Sequence, residues 1–373
     1  MTVARSTLAF QLLLPAALFG YAGIANFAMP ARITPSQSQQ ELSLSSYFNG
    51  GVTGHLEELY RDGLPHRQPA VEMVGAARYL LLGEGRRGVV AGANGYLFTD
   101  EEFRFSGNTD ALVSESVDQI ATVSQTLADR GIKLIMVPLP MKSDIYHNEL
   151  DQPAASSMAK EIYDSFQAKL AARGVSSVDT RSALVAAQKD QQVFLRTDTH
   201  WTPAGAQVVA EAVAAQALGQ KPGIFDPVPG KSEEVEGDLV KYVTGGIFAN
   251  FVGLGTETVT PFILATKTEN APVDDLFGEA TSIPVALIGT SYSANELWSF
   301  ATLLSSKTGL DVLNAARVGQ GPVAPMRKYL ASLGEGAAQP ESVVWEFPVR
   351  FLTDAHLWSE TPQKKEVVGH GSH

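Results

Sequence analysis

The sequence predicts an α/β fold, a mostly parallel sheet with helices on both faces, preceded by an N-terminal apolar segment. Three observations predict it. Short, continuous apolar runs of the kind that form fully buried strands recur along the chain, as in KLIMVPL at 133–139, VALIGT at 285–290 and SVVWEF at 342–347. Stretches with helical spacing of apolar residues separate them. The composition supplies the core. Of 373 residues, 45% are hydrophobic and only 18% charged, which excludes disorder and gives material for one sizeable core.

Taken in order, residues 6–28 are almost wholly apolar, with no charge between Arg5 and Arg32. As a helix they would reach roughly 35 Å at about 1.5 Å per residue, enough to cross a hydrocarbon core of about 30 Å. That is long for a cleavable signal, whose apolar region is usually about 7–15 residues. Gly23-Ile24-Ala25 nevertheless offers small residues for cleavage. Arg5 and the α-amine favour a cytoplasmic start, so the body is expected outside the inner membrane, in the periplasm. Residues 1–32 thus read as a signal or anchor, and the Ser- and Gln-rich residues 33–50 as a linker.

A folded domain is expected over residues 51–355. An amphipathic helix at about 110–130 leads into the 133–139 strand, and a second at about 155–173 ends at Gly174, a C-terminal cap. Short strands follow at 175–179 (VSSVD) and 193–197 (VFLRT), and Pro203 opens a helix to about Leu218. Residues 219–280 are rich in Gly and Pro with weak periodicity and read as an insertion or lid. The strands at 285–290, 311–315 and 342–347 alternate with helices at about 294–308 and 323–333. Residues 356–373, ending Gly-His-Gly-Ser-His, read as a flexible tail.

The chain has no cysteine, which removes disulfides, thiolate catalysis and Cys-ligated metals together. Its formal net charge of −12 without a long basic run argues against nucleic acid as a partner. No nucleotide-binding glycine fingerprint appears, and neither a cofactor nor a metal site is expected.

Ligands of open parallel sheets bind beyond the carboxyl ends of the strands. Two segments place reactive residues there. In Arg196-Thr197-Asp198-Thr199-His200-Trp201-Thr202-Pro203, Thr202 is a natural N-cap and Pro203 a natural first helical residue. Asp198 and His200 then share one side of the preceding extended link, where the carboxylate can fix the tautomer of the imidazole. In Ile288-Gly289-Thr290-Ser291-Tyr292-Ser293, Ser291 follows a strand in the turn before a helix, where backbone N–H groups can stabilise an oxyanion. A serine needs a base to become a nucleophile, and the two segments together supply serine, base and orienter. The glycines of Arg317-Val318-Gly319-Gln320-Gly321-Pro322 are a third strand-end feature, able to bring a backbone N–H close to a carbonyl oxygen.

At these residues the sequence resembles the AlgJ/AlgX group of bacterial exopolysaccharide O-acetyltransferases, whose catalytic domain is SGNH-hydrolase-like. The resemblance spans roughly 60–352. It rests on Leu64-Pro65-His66-Arg67, Gly92 to Phe98, Val137-Pro138 through Lys142 and Tyr146, Asp198-Thr199-His200-Trp201-Thr202, Gly289 to Ser293, and Trp345 to Leu352. It implies Ser291 as nucleophile, His200 as general base and Asp198 as its orienter. Ser291 with Gly319 or Gly321 would then line the oxyanion site, and Lys142, Tyr146, Trp201, Tyr292 and Arg350 would bind substrate.

It also implies an acetyl donor supplied by a membrane-bound O-acyltransferase, other subunits of an acetylation complex, and alginate or cellulose as exopolysaccharide acceptor. Only 21 residues follow Leu352, too few for the carbohydrate-binding module of AlgX-type members, so the resemblance points to the AlgJ-type or cellulose-acetylating branch. An acetylesterase using the same three residues, or a non-catalytic glycan-binding subunit, would carry the same motifs.

Overall fold

A computed structural model describes residues 67–221, 225–264, 284–334 and 339–358, with scattered positions between 19 and 64. The chain forms two compact units, Met1–Arg78 and Tyr79–His373, and helix α1 (Arg67–Leu82) runs across the division. Most of the apolar segment 6–28, the linker 33–50, and Pro65 and His66 lie outside the described residues. Among those described, no helix is long and apolar enough to cross a membrane.

In the larger unit, the hairpin β1 (Val89–Ala91) and β2 (Leu97–Thr99) precedes α2 (Thr109–Ala128) and the strand β3 (Lys133–Leu139). A single turn, α3 (Lys142–Ile145), leads to α4 (Pro153–Ala172), and Gly174, at φ 69°, turns the chain into β4 (Ser176–Ser177). Helices α5 (Thr180–Ala187) and α6 (Pro203–Val213) follow, the latter capped by Thr202 as its sequence suggests.

The described part of the 219–280 insertion contains β5 (Pro227–Pro229), β6 (Glu233–Val235), α7 (Gly246–Phe251), β7 (Glu257–Val259) and β8 (Phe262–Leu264). These strands pair antiparallel, β5 with β8 and β6 with β7, apart from the main sheet. The chain then returns to the sheet through β9 (Val285–Ile288), α8 (Ser291–Ala294), α9 (Phe300–Thr308), β10 (Val312–Asn314), α10 (Val323–Ser332) and β11 (Ser342–Pro348). A final short helix, α11 (Ala355–Trp358), closes the described chain.

The central sheet has the order β10-β9-β11-β3-β4, and all four pairings are parallel. Its middle strand β11 is buried along its whole length, which is why its sequence, Ser342 and Glu346 apart, is a run of apolar residues rather than an alternation. Alternate residues feed opposite faces. Ile135, Val137, Val285, Leu287 and Val344 pack toward α5, α6 and α9, whereas Met136, Ala286, Ile288, Trp345 and Phe347 pack toward α2, α4 and α10. The sheet is therefore covered on both sides, and β3, β9 and β11 end at one edge, followed by Lys142, Ser291 and Arg350 respectively.

Three expectations are corrected. Residues 193–197 do not join the sheet. They fold back on themselves, with a single bridge between Phe194 and Trp201 and backbone bonds Leu195 N–H to His200 O and Thr202 N–H to Val193 O. The Tyr146 hydroxyl accepts the Val193 and Phe194 N–H groups, so these donors have a partner without a neighbouring strand. The expected helix 294–308 is broken: a 3-10 turn (Glu296–Trp298) and a left-handed Ser299 (φ 63°) separate α8 from α9. The tail does not begin at 356. Trp358 is buried against Trp345 and Phe347 and donates from Nε1 to Phe351 O.

Candidate active site

Ser291 stands at the first position of α8, just beyond the end of β9. Its approach is fixed from below by a buried carboxylate. Glu346, on β11, accepts hydrogen bonds from Thr290 N (3.0 Å), Thr290 Oγ1 (2.9 Å) and Ser293 Oγ (2.7 Å). The two strands lie so close here that a Cβ on residue 289 would sit 2.4 Å from Glu346 Oε2, so the position requires glycine. Burial pushes the Glu346 carboxyl up from its ordinary value, against the opposing pull of these donors. From the side, Asn314 at the end of β10 donates to Ser293 O at 2.7 Å.

Opposite the serine, the 193–202 loop presents Asp198 and His200. His200 Nε2 lies 2.7 Å from Ser291 Oγ, and His200 Nδ1 lies 2.6 Å from Asp198 Oδ1. An ionised carboxylate only accepts, so Nδ1 carries the proton and Nε2 faces the serine hydroxyl as an acceptor. The same Oδ1 also accepts the His200 backbone N–H at 2.8 Å. Burial raises the Asp198 carboxyl, but His200 and the backbone N–H groups of His200 and Asp238 outweigh it and hold the pKa below its usual value.

Sequence reasoning missed much of what holds this loop. Asp238, from the insertion, donates its N–H to Asp198 Oδ2 (2.8 Å) and accepts from Thr199 N (2.8 Å) and Thr199 Oγ1 (2.7 Å). Glu257, on β7, accepts from Arg196 N, Thr197 N and Thr197 Oγ1 at 2.8–3.0 Å. Neither acid carries a local signal, because each lies some 40–60 residues from its partners in a stretch without periodicity. Asp198, His200 and Asp238 bring three possible metal-ligand atoms within 4.8 Å of one another. The two Asp carboxylates are already engaged with backbone and side-chain donors, which suits a braced hydrogen-bond chain better than a metal cradle.

Five residues expected to bind substrate are buried, and four of them are committed inward. Lys142, 1% exposed, donates from Nζ to Leu97 O (2.7 Å), Arg196 O (2.9 Å) and Asp198 O (3.0 Å), and desolvation pulls its pKa down to about 8. Tyr146 holds the Val193 and Phe194 amides. Trp201 Nε1 donates to Tyr292 O at 3.1 Å. The Tyr292 hydroxyl donates to Thr199 O and accepts from Arg350 Nη1 at 3.0 Å, tying the residue after the serine to the residue before the histidine. These four brace the Asp–His loop from within. Arg350 is also buried, but it lines a 360 Å³ cavity with Glu101, Arg104, Phe351, Asp354 and His356.

A second cavity, of 590 Å³, lies between Gln192, Leu195, Arg196, Thr202, Glu257 and Phe262. Neither cavity is lined by Ser291 or His200. Trp298 stacks on the His200 ring at 5.3 Å and 20°, and Tyr292 abuts the same ring at 4.7 Å. The Trp298 indole N–H is buried without a hydrogen-bond partner among the described residues. Gly319 and Gly321 both have positive φ (72° and 63°). Gly321 lies against Leu357, while the Arg317 N–H bonds to Gly289 O, which ties the base of their loop to the strand before Ser291.

Residues 89–349 match the family model for the SGNH hydrolase-like domain of the acetyltransferase AlgX. The chain is 36% identical over 320 residues to the probable alginate O-acetylase AlgJ of Azotobacter vinelandii, covering 84% of this chain and 82% of that protein. It is 35% identical over 326 residues to the protein of the same name from Pseudomonas putida, covering 85% and 83%. Among solved structures it resembles the O-acetyltransferase domain of P. putida AlgJ, with a TM-score of 0.62 and 36% identity, over 72% of this chain and 93% of that one.

Proposed function

The chain belongs to the AlgX family of SGNH hydrolase-like acetyltransferases and is an O-acetyltransferase, and from that membership we propose that it acetylates alginate hydroxyls through an acetyl-serine on Ser291. The observation that carries the mechanism is the unbroken run Asp198 Oδ1, His200 Nδ1, His200 Nε2, Ser291 Oγ, with contacts of 2.6 and 2.7 Å. The hydroxyl of Ser291 attacks the donor's acetyl carbonyl as His200 Nε2 takes its proton. Asp198 holds the imidazolium that forms. The Ser291 N–H, at the head of α8, has no acceptor within its own helix and is placed to meet the developing oxyanion. As the tetrahedral species collapses, the bond to the leaving group breaks and that group departs with the proton from His200. A sugar hydroxyl then attacks the acetyl-serine, gives its proton to His200, and leaves acetylated as Ser291 regains its proton.

Alginate is favoured over cellulose because the AlgJ relatives that cover most of the chain are named for alginate. The enzyme works in the periplasm, held at the inner membrane by residues 6–28, and receives acetyl groups passed outward by a membrane-bound O-acyltransferase within an acetylation complex. Intact mass measurement with a chromogenic acetyl ester tests the reading. An adduct of one acetyl group is expected on the wild type, absent from Ser291→Ala, and discharged by mannuronate oligosaccharide faster than by water. An adduct that persists in Ser291→Ala would overturn the nucleophile. Discharge to water alone would make the protein an esterase.

A further inference from the structure

The end of α1 and α7, which share one small core, both expose large apolar side chains. Leu81 and Leu82 are 81% and 65% exposed, and Ile247 and Phe251 on α7 are 78% and 76% exposed. Large apolar groups exposed together on a soluble surface mark an interaction site. The two elements share one small core, in which Tyr79 and Ala249 pack with Leu97, Val240 and Val243. The segments that adjoin them are also tied: Arg86 donates its N–H to Tyr242 O at 2.7 Å and its guanidinium to Lys241 O.

Charge says what kind of surface they fit. In a chain of net charge −12, residues 80–88 and 240–251 carry three exposed cations, Arg86, Arg87 and Lys241, against a single acid, Glu84. Apolar side chains beside basic ones are what an anionic bilayer surface attracts: the apolar groups enter the interface and the cations meet lipid phosphates.

We propose that this edge, with Leu81, Leu82, Ile247 and Phe251 inserted and Arg86, Arg87 and Lys241 at the headgroups, docks the catalytic fold on an anionic lipid bilayer. The proposal rests on the reading above that the chain is held at the membrane, and it adds how the body is oriented there. The orientation has a consequence for the site. Leu97, in the same small core, takes its N–H to Arg196 O and its carbonyl to Lys142 Nζ, so the docked module is joined directly to the Asp198 loop. A donor arriving from within the membrane would then meet the active site at short range.

The absence of native cysteine makes the test direct. Single substitutions Leu81→Cys, Phe251→Cys and, as a control on another exposed apolar residue, Val318→Cys would be made in the full chain and labelled with the polarity-sensitive dye NBD. The labelled chains are reconstituted into phosphatidylcholine vesicles with or without one-quarter phosphatidylglycerol. Flotation reports whether the chain is at the membrane, and emission reports whether each position is. The proposal expects a roughly twofold or larger rise in emission at 81 and 251 but not at 318. The rise should be greater with phosphatidylglycerol, and that preference should be lost in Arg87→Glu/Lys241→Glu. Flotation without a rise at 81 and 251 overturns the docking edge and leaves the anchor standing. Failure to float overturns both. An equal rise in neutral vesicles removes the basic residues from the proposal.

Discussion

Glu346 shows how a single buried side chain shapes the chemistry of its neighbours. It is fully buried, and Thr290 and Ser293, on either side of the two residues Ser291 and Tyr292, hang from its carboxylate, while Gly289 leaves room for it. It is a positioning residue, and burial makes it a costly one. Because its pKa is raised in the folded chain, the folded state holds a proton that the unfolded state has already lost. Stability therefore falls as pH rises from the unfolded value of about 4.5 through the raised one. Glu346→Gln removes that component. Its stability relative to wild type should improve as pH rises from about 4.5 through the raised value, as followed by urea midpoints. Its rate of Ser291 acetylation should fall roughly ten- to a hundredfold through kcat, because small displacements of a nucleophile are costly. An unchanged kcat would show that the serine does not depend on this support.

At the scale of elements, the loop carrying Asp198 and His200 is held by groups that converge from β2, from α3 and from the insertion, β7 included. Lys142 is the hub, with three N–H donors for three carbonyls while it is charged. Its pKa of about 8 lies below the 10.5 of a free lysine, so between those values the unfolded chain binds more protons and this group's contribution to stability rises with pH. The site responds in the opposite sense. The neutral amine has only two N–H groups, one carbonyl loses its donor, and Ser291 acetylation should decline above about pH 8. Lys142→Met should acetylate slowly with no such limb and lose about 2–4 kcal/mol of stability in urea unfolding, since Leu97 O and Asp198 O lose their donor and Arg196 O keeps only the Leu97 N–H.

These dependencies explain which elements the sequence reveals. Strands β3, β9 and β11 are legible because burial on both faces leaves them apolar but for Lys133, Ser342 and Glu346, and the Thr202-Pro203 start of α6 because a cap is a local signal. The 193–197 run looks equally apolar, but whether it pairs as a strand depends on the hydroxyl of Tyr146, nearly fifty residues away. Asp198, His200 and Ser291 can be picked out by residue type and place. Asp238 and Glu257 cannot, because an isolated acid in a polar stretch looks the same whether it braces a loop or faces water.

Over the whole molecule, the charge of −12 sets a condition on how a polyanion reaches the site. Long-range repulsion slows the approach of an acidic polymer, and salt screens it, with a Debye length of about 10 Å at 0.1 M. The nearby cations act against that field only at short range. Arg350 and Arg104 line the 360 Å³ cavity, yet they are paired with Glu101 and Asp100 respectively. Repulsion therefore dominates while the polymer is still distant. It follows that kcat/KM for transfer to a mannuronate oligosaccharide should rise a few-fold between roughly 0.02 and 0.2 M salt, whereas acetylation of Ser291 by a neutral ester should hardly respond. Parallel kinetics across that range, with a neutral mannose oligosaccharide as the uncharged acceptor, separate screening from any general effect of salt on the fold. A rate to mannuronate that falls with salt would mean that local cations, not the net charge, govern capture of the acceptor. Charge reversal at Arg104 would then identify the 360 Å³ cavity as the place where they act.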